Sequence, residues 1–134
     1  MVAGLLLASG CGSSKQHEIE IRGAACVRPS TRVRPPATFP NRFPLPASAV
    51  LTRTRREAGS TVVEGYVPAT SLSHLRDELR VVLPVNGFRL GQGDAEEHEA
   101  ETDFSGHGYE GHLKLRDDVC SGAVTFGVAV RGGR

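Results

Sequence analysis

The densest set of groups able to hold an ion or move a proton is the run Asp94, Glu96, Glu97, His98, Glu99, Glu101 and Asp103. Crowded carboxylate oxygens are the ligands that calcium prefers. The spacing points to something plainer. A calcium loop's alternate Asp or Asn with a central Gly is absent, and Ala100, Thr102 and Phe104 alternate with Glu99, Glu101 and Asp103, the period of a half-buried strand. If the chain turns over Ser105-Gly106-His107-Gly108, Glu99 and Glu101 lie across from Lys114 and His112. Opposite charges facing one another on a solvated sheet face contribute a few tenths to ~1 kcal/mol per pair. Charge pairing is therefore the leading reading of residues 94–103, and binding of a divalent ion or small ligand is the alternative.

The other chemistry-bearing residues are sparser. His98, His107 and His112 lack the two-histidine helical spacing of zinc hydrolases and read as separate surface side chains, so no metal site is expected. Ser105 and His107 stand two residues apart in a glycine turn, poor geometry for a base to take the hydroxyl proton. No Gly-x-Ser-x-Gly elbow is present. Arg53, Arg55 and Arg56 could meet anionic lipid head groups or wall polymers. Beside Glu57 they make a weak patch, and a solvated strand face accounts for them. These readings yield no catalytic residue and no cofactor, and the chain is expected not to be an enzyme.

The elements that would position these residues follow from periodicity. Val50 to Arg56 and Thr61 to Val67 read as strands joined through Glu57-Ala58-Gly59-Ser60, a hairpin that Pro68 ends. Thr70 or Ser71 can cap a helix over about Ser71 to Leu83, in which Leu72, Leu75, Leu79, Val82 and Leu83 recur at three- and four-residue steps. Pro84 and Asn86-Gly87 stop it. Phe88 to Gln92 begins a third strand, and the acidic alternation makes a fourth. Tyr109, Gly111, Leu113 and Leu115 face inward in the next, and Val124, Phe126, Val128 and Val130 share one face of the last. The expected fold is α+β: an antiparallel sheet of five to six strands with one helix on one face, in the order β-β-α-β-β-β-β.

The chain has 134 residues and a formal charge of +1, with Lys15 and Lys114 as its lysines. It lacks the basic excess and aromatic interleaving of nucleic-acid binding, so nucleic acid is set aside as a partner. Trp is absent and rings are few, so one modest core rests on Val and Leu. Residues 48–134 are read as a single domain. Before it, 28–46 is rich in Pro and Arg, and proline's fixed φ and missing donor predict an extended arm outside the core.

At the N-terminus, apolar and small residues from Val2 to Gly10 run into Cys11. Ala8-Ser9-Gly10-Cys11 resembles the bacterial lipobox. The resemblance implies that 1–10 is a signal peptide removed before Cys11, and that the Cys11 sulfur carries diacylglycerol, with acyl chains such as palmitate. It also implies that 11–47 is a lipid-attached tether and arm, and that the protein sits on the extracytoplasmic face of the cell membrane. Two features depart from the pattern: Ala8 stands where Leu is commoner, and no Lys or Arg precedes the apolar run, which suggests a true start further upstream. A transmembrane span is too long for this segment, because Lys15 arrives early. With Cys11 lipidated, Cys26 and Cys120 remain in an oxidising compartment, and the even remainder favours a disulfide over two free thiols. Phe43-Pro44-Leu45-Pro46, Asn86-Gly87-Phe88, Phe104 to Gly108 and Asp118-Val119-Cys120 together resemble small lipoproteins of high-GC Gram-positive bacteria, over roughly Phe43 to Val130. That likeness implies location and fold, and no reaction. The functional expectation is a lipid-anchored envelope protein acting as a non-enzymatic interaction module for an envelope protein or wall polymer.

Overall fold

A computed structural model describes residues 26–132. The signal segment, Cys11 and the first part of the tether lie outside the described residues. Six strands form one antiparallel sheet, and a single helix follows the first hairpin: β1 Val50–Glu57, β2 Ser60–Pro68, α1 Leu72–Val85, β3 Arg89–Ala95, β4 Glu99–Gly106, β5 Tyr109–Arg116 and β6 Ala123–Gly132. The spatial order is β1-β2-β6-β5-β4-β3. Among the described residues the fold is thus mainly β with one helix, in the expected chain order.

Local chemistry sets the element ends. Ser71 caps α1 by accepting from the His74 backbone N–H at 3.2 Å. At the other end Pro84 lies within the last turn, and Asn86 is the C-cap. Gly87 then takes φ +85°, its N–H bonding to the Pro84 carbonyl and that of Phe88 to the Leu83 carbonyl. This is a Schellman closure, with Leu83 and Phe88 both buried beside it. The helix therefore runs two residues past its expected end, because proline removes only its own N–H and the cap satisfies the freed carbonyls.

Leu72, Leu75, Leu79 and Leu83 pack the helix onto one sheet face, against Val63, Leu113, Leu115, Val124, Phe126, Val128 and Val130. The helix touches β3, β4 and β5. The Pro/Arg-rich segment supplies further cover: Phe39 and Phe43, 6% and 7% exposed, belong to the same core. Phe43 meets Phe88 and Phe104 at ring-centroid distances of 5.7 and 5.1 Å. This corrects the reading of 28–46 as lying outside the core. Proline kept the segment from joining the sheet but left its two phenylalanines free to bury. Cys26 and Cys120 form a disulfide with Cα atoms 5.5 Å apart, which ties the start of the arm to the β5–β6 connection.

Candidate functional site

The opposite face of the sheet is the one that neither the helix nor the arm's phenylalanines occupy. Register places its residues in rows across the strands. One row runs Arg53, Glu64, Gly127, Lys114, Glu101; the next runs Arg55, Val62, Ala129, His112, Asp103. A cleft of about 560 Å³ crosses this face and is lined from all six strands, so the sheet is concave here. Its floor is small and apolar at Val62 and Ala129. Its rim carries Arg55, Glu57, Arg89, Asp103, Glu110, His112 and Arg131.

Two charges that period-two patterning places on this face are nonetheless buried. Glu64 is 3% exposed and Lys114 is 4% exposed, on either side of Gly127. Each is paired. Arg55 donates to Glu64 and also meets Glu57 at 3.1 Å. Burial opposes the Arg55 charge, but the hydrogen bond and charge of Glu64, then those of Glu57, outweigh it and hold the guanidinium above its ordinary pKa. Lys114 Nζ lies 3.3 Å from Glu99 and 3.5 Å from Glu101.

The acidic hairpin is neutralised in the same way, in a register that differs from the expected one. Glu99 faces Arg116, Glu101 faces Lys114 and Asp103 faces His112. The shift arises because the turn has two central residues, His107 and Gly108 at φ 53° and 80°, where a four-residue turn was expected. Positive φ at both positions makes the type I′ geometry that suits a twisted hairpin. His112 Nδ1 donates to Asp103 at 2.8 Å. Among the described residues no group of three or more His, Cys, Asp or Glu side chains is arranged to hold a metal ion.

The three histidines do not meet one another. His98 Nδ1 donates to Asp117 at 2.8 Å, which fastens the β3–β4 turn to the end of β5. That hydrogen bond, with the charges of Asp117 and Glu97, raises the His98 pKa above its ordinary value. His107 stands at the other end of the hairpin. Its Nε2 donates to the Asn86 carbonyl at 2.8 Å and its ring lies 5.0 Å from that of Phe88, so it braces the helix C-cap. A carbonyl only accepts, so this nitrogen carries the proton.

The arginine trio also divides. Arg53 and Arg55 fall on the concave face, whereas Arg56 bonds to Thr61 Oγ1 on the helix side of the sheet. Comparison of the chain with protein-family models, curated proteins and solved structures gives no match. The site therefore stands on its own geometry. Sequence reasoning missed the cleft, since the floor residues Val62 and Ala129 read as one more alternation and nothing local encodes the curvature.

Proposed function

We propose that this chain is a lipid-anchored protein of the cell envelope, attached through Cys11 at the outer face of the cell membrane. It works without catalysing a reaction, as an interaction module that holds an envelope protein or wall polymer on the concave face of its sheet. In this reading the α+β domain is a platform whose helix and arm close one side while the other stays open to a partner. The observation that carries the reading is the cleft of about 560 Å³ spanning all six strands, within the size range of small-ligand sites. Because most charges around it are matched within the chain, recognition would rest on shape and hydrogen bonding more than on net charge. The disulfide supports export, since such bonds persist outside the cytoplasm and are rare within it. Attachment itself rests on Ala8-Ser9-Gly10-Cys11.

Two measurements test this. Protein purified from membranes should carry the mass of diacylglycerol, and Cys11→Ser should move it to the aqueous detergent phase, because each buried methylene contributes about 0.8 kcal/mol to anchoring. A photo-crosslinker at Ala129 should capture an envelope component in cells that the same group at Glu78, on the exposed side of the helix, does not. Lipid-free wild-type protein would remove the address, and equal capture from both positions would remove the concave face as the working surface.

A further inference from the structure

One cation on the rim of the cleft stands apart. The guanidinium of Arg89, at the start of β3, makes no hydrogen bond or ion pair among the described residues, whereas Arg55 is held by Glu57 and Glu64 and Arg131 faces Glu110 at 3.7 Å. The cleft thus has a charge to offer an anionic group at its β3 end. Among the described residues no Phe, Tyr or Trp ring lies in it: Phe104 contributes from β4, but its ring packs on the other side of the sheet against Phe43 and Phe88. A sugar chain would lack the flat apolar platform on which its rings stack. The floor at Val62 and Ala129 instead suits small side chains, and Ser105 and Glu110, in the row that runs from Arg89 to Arg131 beside that floor, offer acceptors for backbone N–H groups.

We infer that the cleft binds a short extended peptide through its terminal carboxylate, which pairs with Arg89. The inference rests on the concave face being the working surface and names the ligand class. Neighbouring strands are about 4.8 Å apart, so β3 and β6 are separated by ~14 Å across the sheet. An extended peptide covers that distance in about four residues at ~3.3 Å each. A guanidinium and a carboxylate form two parallel charge-assisted hydrogen bonds, a geometry that an amide cannot reproduce.

The test is an amide-shift titration of the full chain with three probes: tetraalanine, tetraalanine amide and chitotetraose. Tetraalanine should shift Arg89, Ala129 and Val62 saturably, the amide should bind about tenfold more weakly, and chitotetraose should leave the cleft unmoved. Arg89→Gln, an exposed position, should bring tetraalanine down to the level of the amide and leave the amide unchanged. Arg80→Gln on the helix should change neither. Equal binding of acid and amide, or an Arg89→Gln variant that binds tetraalanine normally, overturns the inference. Saturable shifts in the cleft from chitotetraose alone also overturn it while leaving the concave face as the working surface. Silence from all three probes overturns it too, and the Ala129 crosslink then decides that face separately.

Discussion

Glu64 keeps its place on the concave face only because Arg55 reaches it, and removing one partner of a buried pair costs far more than replacing both. Arg55→Met should therefore lower stability by about 3 kcal/mol, while Arg55→Met with Glu64→Met should return to within about 1 kcal/mol of wild type. Urea unfolding of the three proteins checks this, and an additive double variant would mean that the pair is not coupled. The exposed pairs behave differently. His98 is raised by its hydrogen bond to Asp117, so its contribution is fully present below its unfolded value near 6.5 and is lost as pH rises through the raised folded value. Asp118, lowered chiefly by its hydrogen bonds from Arg116 at 3.0 and 2.9 Å, contributes above 3.8 and loses that contribution as pH falls through the lowered value. In a histidine NMR titration the His98 midpoint should lie above 6.5, and Asp117→Asn should bring it back. A wild-type midpoint at or below 6.5 would rule out the link between the β3–β4 turn and Asp117.

The elements were legible wherever the side-chain period was uninterrupted. The leucines of α1 and the valines of β6 recur at steps that admit one structure each, and both elements stand where those steps place them. β3 was harder: its register shifts between Leu90 and Gly93, and a bulge breaks the period that marks a strand. The β4–β5 register was missed because Ser105 and Gly106 look like turn residues while in fact closing β4, with His107 accepting a left-handed backbone in their place. The corrected register gives Glu99, Glu101 and Asp103 three basic partners, Arg116, Lys114 and His112. Millimolar calcium should then hardly move the melting temperature. An ion site binding only the native state would instead stabilise it by about 2.7 kcal/mol at a hundredfold excess over the dissociation constant. A saturable rise with calcium, abolished by Glu99→Gln with Glu101→Gln, would promote the hairpin to an ion site.

At the scale of the whole molecule, two different fasteners hold the arm, and they should fail in different ways. The disulfide bridges a sequence separation of 94 residues and acts mainly by restricting the unfolded chain, by roughly 4 kcal/mol in the chain-entropy model. Phe39 and Phe43 act on the folded state, through burial and ring contacts. The pairing could be suspected from cysteine parity. The phenylalanines could not be placed, because a proline-rich composition outweighs two rings four residues apart in any local reading. Replacing Cys26 and Cys120 together with Ser should lower the melting temperature by about 15 °C or more, yet leave the arm seated, since its core contacts remain. Phe43→Ala should cost about 3 to 4 kcal/mol and leave the disulfide intact, but it should unseat the chain around residue 43. Trypsin distinguishes the two at Arg42, which is protected only while the next residue is buried. Cleavage after Arg42 should be fast in Phe43→Ala and slow in the serine pair under native conditions. The reverse order would mean that the disulfide, and not the aromatic contacts, keeps the arm on the sheet.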